Sequence, residues 1–160
     1  KISSITIDAH KMLQAPYGTG VFICRKGLIE NVLTKEAEYV EGMDLTLCGS
    51  RSGANAVAVW MILFTYGPYA WYEKISILMM RTQFLTKELD ALGIAYYNCP
   101  FMNIVTIKAE FVPEKIANKF GLVPQQHNEN NKWYKIVLMD HVEVEHLTNF
   151  IDEMKASKNG

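Results

Sequence analysis

A strand-forming run that ends in Asp8-Ala9-His10-Lys11 puts a carboxylate, an imidazole and an amine within four consecutive residues. An amine attacks a carbonyl carbon only when uncharged, so an imine-forming lysine needs desolvation or a cationic neighbour to lower its pKa. His10 and the turn after it would line a polar pocket in which a phosphate could also sit. Taken alone, so short a string also describes an exposed lysine with an incidental histidine. His141 and His146 enclose Glu143 and Glu145, residue types that can bind metal. Their spacing puts the two imidazoles on different sides of a helix, so they read as a solvated helix start. Cys24, Cys48 and Cys99 are odd in number and have no metal-like spacing. They read as reduced thiols of a cytoplasmic protein.

The elements that position these groups follow from hydrophobic pattern. Residues 2–8 (ISSITID) form a β-branched run, read as a buried strand of a parallel sheet. Asp8 to Lys11 then stand at its C-terminal edge, where open α/β sheets place ligands. A turn over Ala15-Pro16-Tyr17-Gly18 leads to a second strand, residues 19–25. Residues 28–34 suit a short helix, and residues 35–47 are acidic and irregular. Residues 52–66 form a helix with almost no polar face, which should be buried on most sides. Residues 69–92 form an amphipathic helix that Gly93 ends at its C′ position. Further on come strands 94–98 and 102–108, helix 113–120, strands 122–126 and 133–139, and helix 142–155. The loop 128–131 joins the last two strands. Tyr96 and Tyr97 alternate, one inward and one outward. Tyr66, Tyr69, Trp71 and Tyr72 read as helix packing, and His127 as a surface residue.

The expected organisation is α/β. Residues 1–66 are the end of a large domain, 67–93 a linking helix, and 94–160 a small α+β domain. The opening strand has no element before it, which points to a fragment, a proteolytic product or one piece of a split chain. Apolar residues make up 49% and charged residues 21%, the balance of an ordinary globular protein. A net charge of -1, with the basic residues scattered, argues against nucleic acid and anionic membrane as partners. The longest apolar stretch, residues 54–66, is too short to span a bilayer.

The run SITIDAHKMLQAPYGTGVFICRKG, the later Gly49-Ser50-Arg51-Ser52-Gly53 with its apolar helix, Trp60 and Tyr66-Gly67, and the strands around Met102-Asn103-Ile104-Val105 and residues 136–142 occur in a particular order. In that order they resemble the group II pyridoxal-phosphate-dependent amino-acid decarboxylases, and among them the archaeal tyrosine and aspartate decarboxylases. The likeness runs from about Ser3 to Met154. It implies the C-terminal portion of a fold type I enzyme and a homodimer with its sites at the subunit interface. Carried over, Lys11 would form the Schiff base with pyridoxal phosphate. His10 would lie beside the phosphate, and Asp8 would reach it. Gly49 and Ser50 would approach the partner subunit's cofactor through a glycine-opened loop. Arg51 would bind phosphate or the substrate carboxylate, or pin the loop.

The resemblance also implies parts that the sequence lacks. An aspartate for the pyridine nitrogen and a histidine stacked on the ring should both lie before Lys1. The stretch 38–48 is shorter than the mobile loop of the animal aromatic decarboxylases, and its Tyr39 does not align with their reprotonating tyrosine. The expected activity of the parent protein is decarboxylation of an L-amino acid, with the isolated chain inactive. Two alternatives stand: a carbon–carbon lyase of the sphingosine-phosphate-lyase kind, and a non-catalytic fragment that serves assembly or binding.

Overall fold

The computed structural model describes residues 1–32, 51–127 and 131–158. Within it the chain divides into two compact units, Lys1–Pro68 and Tyr69–Gly160. Gly49, Ser50, Cys48 and Tyr39 lie outside the described residues, as does most of the loop after His127.

In the first unit, strand β1 (Ser4–Asp8) and strand β2 (Gly20–Cys24) form a two-stranded sheet. They pair antiparallel, from Ser4 opposite Cys24 to Asp8 opposite Gly20. This corrects the parallel reading of β1: its only partner among the described residues is the strand that returns directly after the turn. β-branched content marks a strand but carries no information on the direction of its neighbour. Both faces of the pair are largely open, with Ile5, Phe22 and Ile23 exposed. A short 3-10 turn, Ile29–Val32, follows.

Helix α1 (Gly53–Ala91) comprises two helical stretches separated by a kink. The break is at Gly67 (φ 63°, ψ 177°), directly before Pro68. That backbone region is nearly closed to residues with a Cβ, and proline cannot donate to the preceding turn. The sequence therefore ends one helix and starts another without an intervening loop. Before the break, Val57, Trp60, Met61, Leu63 and Phe64 are exposed, and Trp60 stacks on Phe64 with centroids 5.1 Å apart. The expectation that residues 52–66 are buried on most sides is thus wrong for this chain. An all-round apolar pattern records what a helix would bury; the described residues supply no layer to bury it.

The second unit is an antiparallel sheet with helices on one face. Its strand order is β3 (Tyr96–Asn98), β4 (Ile104–Lys108), β6 (Trp133–Val137) and β5 (Val123–Pro124). Alternation decides which face is covered: Val105 and Ile107 are fully buried, and Ile136 nearly so. Leu85 and Leu89 of α1 meet them, as do Leu147, Phe150, Ile151 and Met154 of α3 (Val144–Lys158). The α3 residues recur at three- and four-residue spacing, one stripe of a helix. Each such side chain contributes about 1.5–3 kcal/mol by leaving water. The short α2 (Glu114–Lys119) adds Ile116 and Ala117. Gly93 (φ 61°) closes α1: its N–H donates to Asp90 and that of Ile94 to Leu89, both at 3.0 Å, a Schellman cap. Tyr96 packs on the core while Tyr97 is exposed. Arg81 of α1 donates two 3.0 Å hydrogen bonds to the carbonyls of Asp140 and Val142, which holds the β6–α3 connection.

Candidate active site

At the end of β1 the chain makes two tight turns in succession. The Lys11 N–H donates to the Asp8 carbonyl and the Gln14 N–H to the Lys11 carbonyl, each at 3.0 Å. Gln14 takes a left-handed conformation (φ 54°), rare for a residue with a Cβ. The turns bring Ala15 back to Ala9, whose N–H in turn donates to the Thr19 carbonyl at 3.1 Å. Ala9 and Ala15 are buried by this closure, so their small side chains are a packing requirement. Thr19, also buried, donates its hydroxyl to the Pro16 carbonyl at 2.8 Å and so holds the start of β2.

This loop presents three chemical groups together. Lys11 Nζ lies 2.8 Å from Asp8 Oδ2, with both side chains largely in solvent. The hydrogen bond and charge of Lys11 hold the Asp8 carboxyl below its ordinary pKa. The same pair holds the Lys11 ammonium above its ordinary value. Lys11 is thus held away from the neutral form that imine formation needs. The hydrogen bond and charge of Asp8 outweigh the opposing desolvation of the amine. His10 Nδ1 lies 3.4 Å from the Thr19 carbonyl, a hydrogen bond when that nitrogen carries the proton. Its ring also meets Tyr17 at 5.2 Å between centroids.

Arg51 is not part of this group. It lines a separate cavity of about 540 Å³ with Gly18, Thr19, Gly20, Ser52 and Asn55. Thr19 is common to both places: its carbonyl holds His10, and the residue borders the cavity. Asn55 donates from Nδ2 to the Tyr17 carbonyl at 3.3 Å and ties α1 to the turn. Tyr17, Thr19 and Asn55 did not stand out in the sequence. They act through backbone carbonyls and turn geometry, which residue type does not reveal; Pro16 and Gly18 beside them were the only signal.

His141 and His146 are both exposed at the start of α3, as a solvated helix start requires, although helical spacing is not the reason. Helix α3 begins at Val144, so His141 precedes it and helical spacing does not apply to the pair. No group of three or more metal-binding side chains occurs among the described residues. Among them, too, no helix is long and apolar enough to cross a membrane.

No protein-family model matches the chain. It is 56% identical over 154 residues to a tryptophan decarboxylase of Clostridium sporogenes, a match covering 96% of this chain and 37% of that protein. A probable L-tyrosine/L-aspartate decarboxylase of Methanococcus maripaludis is 32% identical over 168 residues, covering 98% and 41%. The chain thus spans about two-fifths of the length of the curated relatives it matches. Among solved structures, a sphingosine-1-phosphate lyase of Burkholderia pseudomallei superposes with a TM-score of 0.75 at 17% identity, over 97% of this chain and 38% of the other. At that identity the likeness is one of fold.

Proposed function

Because the chain belongs to the group II pyridoxal-phosphate-dependent amino-acid decarboxylases, as a C-terminal portion with the fold type I architecture, we propose that it supplies Lys11 to a site that decarboxylates an L-amino acid. The observation that carries this is the Lys11 amine, exposed at the end of β1 with His10 held beside it, in a chain of that ancestry. Pyridoxal phosphate supplies an aldehyde for an amine and a ring that withdraws electrons from the carbon losing carboxylate. The residues present fit such a group. Lys11 is reachable, and to act as a nucleophile it would have to leave Asp8 and give up its proton. His10, fixed through Nδ1, would donate from Nε2 to an anion such as phosphate in its imidazolium form, when both ring nitrogens carry a proton. Asp8 is assigned to a position that reaches the phosphate, Gly49 and Ser50 to the partner subunit's cofactor, and Arg51 to phosphate, to the substrate carboxylate or to pinning the loop. The acid for the ring nitrogen and the imidazole stacked on the ring are assigned to parts of such proteins outside this match.

The first unit is read as the end of a large cofactor-binding domain, up to residue 66. Residues 67–93 are read as a linking helix and residues 94–160 as a small C-terminal domain. The exposed Trp60–Phe64 stack and its apolar neighbours suit a homodimer interface, and the reduced cysteines suit the cytoplasm. The tryptophan-decarboxylating relative makes an aromatic amino acid, tryptophan first, the substrate class to test. The lyase alternative rests on fold alone.

The test is borohydride reduction of the full-length protein after incubation with pyridoxal phosphate, then peptide mapping and carbon dioxide release from a panel of L-amino acids. The cofactor should map to Lys11, and tryptophan should release carbon dioxide. Labelling at Lys26 or Lys35 instead would overturn the assignment. Labelling at Lys11 without turnover on any amino acid would favour the non-catalytic reading.

A further inference from the structure

His141 and His146 line one cavity of about 350 Å³ in the second unit, together with Lys119 and Lys135. The cavity exists because β5 stops early. The Leu138 N–H donates to the Asn103 carbonyl and the Ala109 N–H to the Lys132 carbonyl, both at 2.9 Å. β6 therefore bonds β4 through its even-numbered residues and turns the polar groups of the odd-numbered ones toward β5. Gln125 accordingly donates to the Trp133 carbonyl at 2.8 Å. The register that sets Val123 opposite Lys135 would set Gly121 opposite Val137. Gly121 and Leu122 instead donate their N–H groups to Asn118 and Ala117, as the cap of α2. The N–H and carbonyl of Val137, which also lines the cavity, thus face a gap where the next ladder pair is not made.

The floor of the gap is apolar, with Phe120, Leu147 and Phe150. Its ionisable lining residues are two lysines and two histidines, with no carboxylate among them, and Lys135 also borders a second cavity with Tyr97, Thr106 and Trp133. Lys119 is shared: its Nζ bonds Glu153 and lies 5.6 Å from the centre of the Phe120 ring. Asp140, beside His141 in the chain, is answered by Lys74 at 2.9 Å. A backbone donor, a basic rim and an apolar floor of this size match an anion with a small apolar body.

We propose that this cavity binds a small organic acid, a carboxylate carrying a single ring or a branched aliphatic group. The carboxylate meets the rim and the Val137 N–H, and the body lies on Phe120 and Leu147. None of Asp8, His10 or Lys11 takes part, so this site is independent of the proposed decarboxylation.

The experiment titrates the full-length protein with phenylacetate, inorganic phosphate and phenethylamine, and follows the Val137 amide and His146 imidazole by NMR. Phenylacetate should give saturable shifts at both. Lys135→Glu should weaken binding about tenfold, a single charge contact, while Lys115→Glu, a lysine outside the cavity, leaves it unchanged. His146→Gln serves as the second variant should Lys135→Glu fail to fold, and it too should weaken binding. No saturation by about 10 mM, well beyond a millimolar dissociation constant, would overturn the proposal. Equal binding of phenethylamine would overturn the basic rim, and equal binding of phosphate the apolar floor. Equal weakening by Lys115→Glu would overturn the location.

Discussion

Lys11 and Asp8, three residues apart at the end of β1, form an ion pair of 2.8 Å in which each holds the other in its charged form. Imine formation needs the opposite state of the lysine, the free amine. The pair is thus a competitor that a cofactor aldehyde must displace.

Asp8→Asn should therefore bring the Lys11 pKa down toward that of an ordinary lysine. The contribution of Asp8 to stability is present above the ordinary carboxylate pKa and is lost as pH falls through its lowered value. That of Lys11 is full below the ordinary lysine pKa and is lost as pH rises through its raised value. Between those limits the pair is intact but exposed, so salt weakens it. Titration of the Lys11 Cε resonance in both proteins measures the shift. An unchanged midpoint would mean that the pair does not form in solution.

Gly67→Ala should lower stability by about 1–3 kcal/mol, the cost of a Cβ in this backbone region. A Cβ there would meet nothing within 4 Å, so the penalty is conformational and not steric crowding by neighbours. Urea unfolding measures it, and a loss below about 0.5 kcal/mol would mean that the break relaxes.

Leu89→Ala should cost about 2–5 kcal/mol, because the side chain is fully buried among β4 and α3 residues. Trp60→Ser removes a larger apolar group but one already 60% exposed, so it should change chain stability far less. It should instead weaken self-association, read by sedimentation across a concentration series. Association indifferent to Trp60 would remove this helix from the proposed homodimer interface.

Mixed dimers offer a test of shared sites. A Lys11→Ala subunit combined with a Ser50→Ala subunit should recover part of the activity, since one of the two sites then keeps both residues. Verified heterodimers with no recovery would place Lys11 and Ser50 in the service of the same subunit.

Local features were readable because their causes are local. Gly67-Pro68 breaks α1 where periodicity changes, Gly93 caps it, and strict alternation separates Tyr96 from Tyr97. Readings that needed a partner fared worse. The β-branched content of β1 could not say that its neighbour is the antiparallel β2. The apolar pattern of residues 52–66 could not say that Trp60 and Phe64 would stand exposed. His141 and His146 were separated by helical spacing, and they line one cavity because the helix starts between them.

By itself the sequence determined the identity and order of the elements, and the family to which they belong. Side-chain period, glycine and proline placement and motif order are properties of the chain alone. The tertiary structure decided which groups share a space. Asp8 faces Lys11 because two turns fold the strand end back on itself, and Thr19 holds His10 because β2 returns beside β1. It decided as well that Lys11 is held protonated here, since a pKa follows the distance to the nearest charge and the depth of burial. Neither quantity exists until the backbone has closed.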